Sequence, residues 1–370
     1  MPADALDELP LSEADRKRLE LTGLEVDMEN RCGSYFQLDQ EILQTKCENE
    51  GIEMLSLDAA LKKYDWLQEY YWKAVPKDKD KYTGLVAKQE TPRGLVVIAE
   101  PGAKTIFPLQ ACLLLSKSPV QTVHNIFIAR EGAEIHLISG CASAAQAVYG
   151  SHLGVTEIYV EEKAKVTSTM IHNWTKNISV YPRSAAIVKE NGSFISNYVC
   201  MQPVRTIQMY PVAHLNGENA AGRFNSLVIG TPGSRLDLGS KVELNAKGTS
   251  GESITRAITT GGTIFSRGHI LGAVDGTRGH LECKGLILKD GRIHAIPEIE
   301  GLVIGTELSH EASVGKIAQE TIEYLMSRGL TEEEATATII RGFLDVKISG
   351  LPEVLQKQID AAIDAAEAGF

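Results

Sequence analysis

Short β-branched runs recur through the middle of the chain, from about residue 92 to residue 310. Examples lie at 94–99, 134–138, 155–160 and 185–188, each bounded by Gly, Asn, Asp or Ser. This span of 219 residues holds 24 of the 33 glycines, about one in every nine residues. Many short strands joined by tight turns are typical of a sandwich, a barrel or a solenoid. Almost no segment of helical periodicity lies inside the span, so we do not expect a sheet of βαβ units.

A repeated order of small, charged and apolar residues suggests stacked coils within this span. The pattern occurs at 131–136, 162–167 and 189–194. Self-similarity of this kind is the signature of a solenoid. Taken alone, it places a parallel β-helix only slightly ahead of a β-sandwich.

Helical patterns flank the strand-rich span on both sides. Ser12 precedes early acidic residues in the manner of an N-cap, and 57–64 has the same character. Beyond residue 316, Thr331 and Glu334 form a capping-box pattern, and Pro352 sits near the first position of a third helix. We therefore predict an N-terminal helical region over residues 1–90, a β core over residues 91–312 and a C-terminal helical domain over residues 313–370.

The charge balance argues against nucleic acid and membranes as main partners. The chain has a formal net charge of −11 and a pI of about 5.4, whereas both partners attract basic surfaces. No apolar run approaches the ~18–20 residues that a membrane helix needs. The acidic start lacks the apolar core of a secretory signal, so we expect a cytoplasmic protein.

The common catalytic motifs are absent from the sequence. It has no P-loop, no Gly-x-Gly-x-x-Gly between a strand and a helix, no Gly-x-Ser-x-Gly elbow and no His-Glu-x-x-His. The sequence therefore favours a non-catalytic platform over an enzyme.

Candidate metal ligands are concentrated near the end of the strand-rich span. Cys283 and His294 lie in short strand-like segments, and His310 is followed directly by Glu311. Thiol, imidazole and carboxylate groups together suit iron and other borderline metals. The six cysteines form no Cys-x-x-Cys pair, which excludes a local zinc knuckle.

Each of these residues also has a structural alternative. Cys283 alternates with Leu281 and suits a buried core thiol, and His294 suits a hydrogen-bonded structural histidine. In a strand His310 and Glu311 point to opposite faces, whereas in a turn both can bind one ion. The other histidines, at 124, 136, 152, 172, 214, 269 and 280, are scattered, and we interpret them as structural.

These segments resemble the SufB/SufD family of iron–sulfur cluster assembly scaffolds over about residues 90–345. The blocks that carry the resemblance are 171–174, 253–256, 261–268, 280–300, 310–315 and 324–329. The resemblance implies a right-handed parallel β-helix flanked by helical regions. It also implies a SufC-type ABC ATPase docked on the C-terminal helices, and a dimer whose interface holds a transient iron–sulfur cluster.

The resemblance assigns roles to single residues. Glu311 matches a cluster ligand of SufB-type members, and His310 matches the position of the functional histidine in SufD-type members. His294 matches the histidine of a SufB-type His-Thr-Val-Pro segment. SufB-type members carry an essential cysteine three residues before that histidine, where this chain has Gly291. The thiolate must then come from elsewhere, and Cys283, one short strand away, is the candidate.

Features of both family types in one chain suggest a homodimer. On this hypothesis Cys283, His310 and Glu311 from two copies line a junction between the ends of two β-helices. Partners would include a sulfur donor and apo-protein recipients, and the sequence leaves open whether a flavin binds. The alternatives are a β-helix interaction protein without a cluster and, less favoured, a polysaccharide-active β-helix enzyme.

Overall fold

The computed structural model describes residues 11–23 and 32–344. The helices are α1 (Glu13–Glu20), α2 (Leu57–Lys63), α3 (Lys81–Ala87), α4 (Gln319–Met326) and α5 (Glu332–Leu344), with a 3-10 helix over Asp65–Glu69. The strands are β1 (Gly33–Leu38), β2 (Glu41–Cys47), β3 (Ile52–Ser56), β4 (Leu95–Ala99), β5 (Leu109–Leu115), β6 (Val120–Ala129), β7 (Glu134–Ser143), β8 (Gly150–Val160), β9 (Lys165–Asn173), β10 (Ile178–Val180), β11 (Arg183–Val188), β12 (Ser193–Cys200), β13 (Thr206–Met209), β14 (Val212–Leu215), β15 (Ala221–Gly230), β16 (Arg235–Leu244), β17 (Ser250–Thr259), β18 (Thr263–Gly272), β19 (Arg278–Ile287), β20 (Arg292–Gly301) and β21 (Glu307–Gly315).

The strands form two sheets whose members alternate along the chain. Sheet A has the order β2-β1-β5-β7-β9-β12-β15-β17-β19-β21. Sheet B runs from β3 through β4, β6 and β8 to β16, β18 and β20. From β5 in sheet A and from β4 in sheet B every pairing is parallel, so successive coils stack on one another. This confirms the predicted parallel β-helix and excludes the sandwich.

Two prolines interrupt sheet B at the same place in adjacent coils. Strand β8 pairs with both β10 and β11, and β16 pairs with both β13 and β14. Pro182 and Pro211 lie at the two breaks. Because proline has no backbone N–H to donate, it ends a ladder of hydrogen bonds and splits each strand in two.

One corner of every coil contains a residue in the left-handed conformation. These residues have φ between 53° and 92° and recur once per coil, at Gly102, Gly132, Lys163, Asn191, Asn219, Gly248, Gly276 and Gly305. Glycine and asparagine adopt this conformation most readily. Backbone bonds join neighbouring corners, for example from Asn191 N to Glu218 O at 2.8 Å. The repeat length of the β-helix is therefore fixed by its turn chemistry.

Side chains alternate between the interior and the surface along each strand. In β19, Leu281 and Cys283 are buried inside, whereas Glu282 and Lys284 lie on the outer face of sheet A. Apolar side chains from both sheets fill the interior in two clusters, one reaching from Tyr35 to Cys283. Period-two burial of this kind fixes the register, because a slip by one residue would expose the whole apolar set.

The prediction of an entirely helical N-terminal region is corrected by the structure. Residues 33–56 form β1, β2 and β3, and β2 and β3 pair antiparallel with their neighbours. Ile52 and Met54 alternate with more exposed residues, which is the pattern of a strand, and both join the interior cluster. These strands cover the first coil, so this end of the β-helix is capped.

The predicted boundaries of the C-terminal region shift slightly. Strand β21 continues to Gly315, past the expected limit at residue 312, and helix α4 begins at Gln319. The helix predicted after Pro352 lies outside the described residues. Among residues 11–23 and 32–344 no helix has the length and apolar character needed to span a bilayer.

Buried ionic groups anchor the N-terminal segments to the coils. The Arg18 guanidinium of α1 donates to the carbonyl oxygens of Ser143 (2.7 Å) and Trp174 (2.9 Å), at the ends of two coils. The Glu157 carboxylate accepts hydrogen bonds from the backbone N–H groups of Trp72 and Ala74, each at 2.7 Å. These bonds compensate the desolvation of the charges and fix both segments on the outer surface of the coils.

Candidate functional site

Cys283 lies inside the β-helix, one coil from its C-terminal end. Its side chain is 2% exposed and packs with Leu281 and with the partly buried Ala295 and Leu308. Burial raises the pKa of the Cys283 thiol, and the effect of the Ser266 side chain, which lowers it, is smaller. The thiol is therefore protonated near neutral pH. This agrees with the structural alternative from the sequence, in which Cys283 is a buried core thiol.

His310 and Glu311 lie in strand β21 and so point to opposite faces. His310 is in register with Leu281, and Glu311 is in register with Glu282. Because Leu281 and Cys283 face the interior, His310 faces the interior side at the end of the stack. Glu311 instead lies on the outer face of sheet A. The strand alternative from the sequence is confirmed, and the turn alternative is wrong.

Glu311 belongs to a row of charges on that outer face. Its carboxylate accepts from Lys284 Nζ at 2.9 Å, and the same ammonium lies 2.8 Å from Glu282. Arg256 forms a further ion pair with Glu282. Burial raises the pKa of Glu282, but the hydrogen bonds and charges of Lys284 and Arg256 outweigh it and leave the pKa below its usual value.

His294 lies on the outer face of the other sheet. It is in register with Phe265, and the two rings stack with 4.9 Å between centroids and 11° between planes. Arg235 covers Phe265 as well, 4.6 Å from its centroid. The flanking residues Ile293 and Ala295 face the interior. Within one chain His294 therefore does not approach Cys283.

At Gly291, where the resemblance implies a cysteine in SufB-type members, Thr259 occupies the space that a side chain would need. A Cβ atom added at Gly291 would overlap the Thr259 side chain and lie 2.7 Å from its Cβ. The Thr259 hydroxyl lies within donating distance of the carbonyl oxygens of Gly262 (2.9 Å) and Gly230 (3.1 Å) and accepts from Gly261 N at 3.3 Å. The buried Thr259 side chain thus leaves no room for a side chain at position 291.

Within one chain the structure brings together only part of the predicted set. Cys283 and His310 share the interior face on adjacent strands, Glu311 lies on the outer face of sheet A, and His294 lies on the outer face of sheet B. In the described part of the chain, no group of three or more His, Cys, Asp or Glu side chains is arranged to hold a metal ion.

In the described part of the chain, the C-terminal end of the β-helix is uncovered, and we call it the open end. Among the described residues β20 pairs only with β18, and β21 pairs only with β19, so both present a free edge. Exposed apolar side chains surround this end at Ile299, Leu302, Val303, Ile304 and Val314. We refer to these five residues as the open-end patch. Free edges and apolar patches of this kind mark association surfaces.

An interior cavity lies deeper in the coils, at residues that the sequence led us to interpret as structural. It has a volume of about 60 Å³, and its lining includes Cys141, His152, His172 and Tyr198. The Tyr198 hydroxyl lies 2.9 Å from His172 Nδ1, and none of the described residues forms a hydrogen bond with His172 Nε2. Burial lowers the pKa of His152 to about 4 and raises the pKa of Cys141 to about 12, so both are neutral at pH 7.

The spacing of these residues was a signal that the sequence contained. Cys141, His172 and Cys200 follow one another at intervals of one coil and are register partners in three successive strands of sheet A. Once the coil length is known, residues one repeat apart stack directly. Two thiols and an imidazole thus form an interior column that composition alone does not reveal.

Helix α5 packs on the outer face of sheet A. Its Ala337, Ile340 and Leu344 are buried against a cluster that includes Leu227 and Ile258. Helix α4 buries Ile322 but leaves Tyr324 and Met326 exposed. The buried face of α5 therefore serves the chain's own fold, whereas the described residues leave Tyr324 and Met326 of α4 uncovered.

Comparisons with known proteins agree with this architecture. The family described as "SUF system FeS cluster assembly, SufBD core domain" matches residues 113–343. An "Iron-sulfur cluster assembly SufBD family protein" of Archaeoglobus fulgidus is 46% identical over 95% of this chain and 95% of its own length. Proteins of the same description from Methanothermobacter thermautotrophicus and Staphylococcus epidermidis are 44% and 31% identical, each over 94% of this chain and over 86% and 74% of their own lengths.

Proposed function

Because the chain belongs to the SufBD family of iron–sulfur cluster assembly proteins, we propose that it is a non-catalytic scaffold on which a cluster is built and handed on. The cluster is cargo in this proposal and not a resident cofactor. The observation that carries the proposal is the open end of the β-helix, where Cys283 and His310 share one face on the last two strands of sheet A.

The ligand chemistry at this end suits transient binding. Cys283 supplies a thiolate once its proton is lost, and His310 supplies an imidazole. Mixed sulfur and nitrogen ligation holds an iron–sulfur cluster less firmly than four thiolates and so permits transfer. Glu311 and His294 occupy the outer rim of the same end, where we propose that they contact iron only when a second chain completes the site.

Two copies of the chain complete the site in this proposal. Within residues 11–23 and 32–344 the open-end patch and the free edges of β20 and β21 stay exposed, whereas the opposite end is capped by β1, β2 and β3. A homodimer formed end to end buries the patch and places two sets of Cys283 and His310 across one junction.

The dimer and the cluster are tested together by a single substitution in the patch. Ile304 is 99% exposed, and Ile304→Asp adds a charge at the proposed junction. We expect light scattering to show a dimer for the wild type and a monomer for the variant. Anaerobic reconstitution with iron and sulfide should then give a visible absorption band only for the wild type.

The matched control is Ile106→Asp, because Ile106 is 82% exposed but precedes β5, away from the open end. This control should dimerise and reconstitute as the wild type does. A colourless wild type after reconstitution would contradict the scaffold and favour the alternative of a β-helix interaction protein. A coloured monomer would contradict the junction.

An ABC-type ATPase is the proposed partner of the C-terminal helices. The chain has no P-loop of its own, and α4 exposes Tyr324 and Met326. We expect the double variant Tyr324→Ala, Met326→Ala to lose co-purification with the ATPase, whereas Leu85→Ala, at an exposed apolar residue of α3, should retain it. Equal recovery with both variants would contradict docking on α4.

A further inference from the structure

Two carboxylates face each other on the last two strands of sheet A. Glu282 of β19 and Glu311 of β21 are register partners on the outer face. Adjacent strands lie about 4.8 Å apart, and like charges placed directly opposite destabilise a sheet. This arrangement therefore needs a counter-ion.

Lys284 supplies the counter-ion from two residues further along β19. Its ammonium lies 2.8 Å from Glu282 and 2.9 Å from Glu311, and its side chain is 27% exposed. The residue opposite Lys284 on β21 is Ser313, which carries no charge. The Lys284 side chain is therefore directed toward Glu282 and Glu311 and places its ammonium between their carboxylates. The free rotation of the Glu311 carboxylate at the strand edge is thereby restricted.

A chain of contacts joins this group to the C-terminal helix. Glu282 also pairs with Arg256 of β17, whose guanidinium lies 5.9 Å from the ring centroid of Phe343 in α5. Immediately beside these residues Ile258 and Leu286 pack in the same apolar cluster as Ile340. Arg256 is thus a point of contact between the charges of sheet A and helix α5.

We infer that Lys284 is a positioning residue that holds the Glu311 carboxylate on the outer face, and that Glu282 and Arg256 link this contact to helix α5. The inference rests on the proposed function in one respect, namely that Glu311 is there a contact for iron. A carboxylate paired with an ammonium is a weaker metal ligand than a free one. Loss of the Arg256 contact leaves Glu282 to attract Lys284 more strongly, which releases Glu311.

Manganese binding by the full chain reports whether the Glu311 carboxylate is free to bind a metal ion, and the measurement needs no cluster. We would titrate each protein with Mn²⁺ and follow free Mn²⁺ by electron paramagnetic resonance. Lys284→Met should bind Mn²⁺ about threefold to fivefold more tightly than the wild type, the range that a partly exposed ion pair allows. Lys284→Arg keeps the cation and should bind as the wild type does.

The double variant Lys284→Met, Glu311→Gln separates positioning from a general change of charge. It should lose the gain in affinity, because the released carboxylate is absent. A gain that persists in the double variant would overturn the inference, since Mn²⁺ would then be bound elsewhere. Equal affinities for the wild type and Lys284→Met would overturn it as well.

The link to α5 has its own pair of variants. Arg256→Met and Phe343→Ala should each tighten Mn²⁺ binding in the same direction as Lys284→Met, by a smaller factor, and Glu311→Gln should cancel both effects. Thr338→Ala, on the exposed side of α5, is the control and should have no effect. If Lys284→Met responds and neither α5-linked variant does, the link to the helix is wrong.

Cluster reconstitution in the same proteins distinguishes the two proposals. If the wild type forms no cluster but the Mn²⁺ affinities follow the predicted order, the scaffold function fails and the positioning role of Lys284 stands. If the wild type forms a cluster and Lys284→Met binds Mn²⁺ with the same affinity as the wild type, only the positioning role is wrong.

Discussion

Cys283 and Ala312 are opposed partners on β19 and β21, the last two strands of sheet A in the described residues. Ala312 therefore lies on the interior face directly beyond the thiol, where the stack of coils ends. Because alanine is small, only one methyl group lies between the Cys283 side chain and the open end on this face. The proposed ligand is buried in the single chain, yet it is separated from the junction by one alanine.

The size of residue 312 should control cluster assembly. Ala312→Leu fills the interior face at the open end, so we expect it to lower the iron and sulfide retained after anaerobic reconstitution. Ser309→Leu, on the outer face of the same strand, is the matched control and should retain both. Equal loss in the two variants would show that β21 is merely intolerant of leucine.

Gly291 and Thr259 should depend on each other. Gly291→Cys introduces a side chain whose Cβ overlaps the Thr259 side chain, and overpacking of this kind costs typically about 1–3 kcal/mol of unfolding free energy. We expect urea denaturation to show this loss. Combining it with Thr259→Gly should recover part of the stability relative to the sum of the two single losses. Strict additivity would contradict the packing relation.

Glu157 should be among the most important residues for stability. Its carboxylate is buried and accepts from Trp72 N, Ala74 N and Val75 N, the last at 3.0 Å. Glu157→Ala removes the acceptor of Trp72 N and of Val75 N, at about 1–3 kcal/mol for each buried group, whereas Ala74 N also donates to the Tyr159 hydroxyl at 3.0 Å. We expect a large drop in the midpoint of thermal unfolding, whereas the exposed Glu162→Ala should change it little. Similar midpoints for both variants would contradict the anchoring role.

The buried histidines of the cavity should make stability depend on pH. Burial lowers the pKa of His152 to about 4, whereas an unfolded histidine titrates near 6.5. Between these values the unfolded chain binds the extra proton, so the free energy of unfolding falls as pH decreases from about 6.5 to about 4. The slope is about 1.4 kcal/mol per pH unit for each such histidine. Burial also lowers the pKa of His172 and adds in the same direction.

Urea denaturation at pH 7 and pH 5 measures this effect. His152→Asn keeps a donor for Gln121, which lies 2.9 Å from His152 Nδ1, and should weaken the pH dependence. His280→Asn, on the outer face of sheet A, should leave it as in the wild type. If both variants keep the full dependence, the cavity histidines are not its origin.

Much of the fold was predictable because local chemistry determines it. The segments 131–136, 162–167 and 189–194 proved to be the same corner of successive coils. The caps at Ser12 and Thr331 form as the sequence indicated, with Ser12 Oγ accepting from Asp15 N at 3.2 Å. Of the missed strands, β1 pairs with β5, far along the chain, and local pattern does not encode such pairing. The alternation of Ile52 and Met54 in β3, by contrast, was a strand signal that the sequence contained.

The site was predictable only in part. The alternation of Cys283 with Leu281 and the divergence of His310 and Glu311 in a strand follow from period two, and the structure confirms both. The sequence does not say which face of a strand is the interior near an open end. It also does not reveal that Lys284 joins Glu282 to Glu311, because this contact depends on the register between strands of neighbouring coils.

The role of Cys283 is tested most directly by counting iron and sulfide per chain after anaerobic reconstitution of Cys283→Ser. Cys47→Ser is the matched control, since Cys47 is a thiol at the capped end of the β-helix. We expect Cys283→Ser to lose the iron, the sulfide and the visible absorption, and Cys47→Ser to keep all three. Undiminished iron and sulfide in Cys283→Ser would contradict the account.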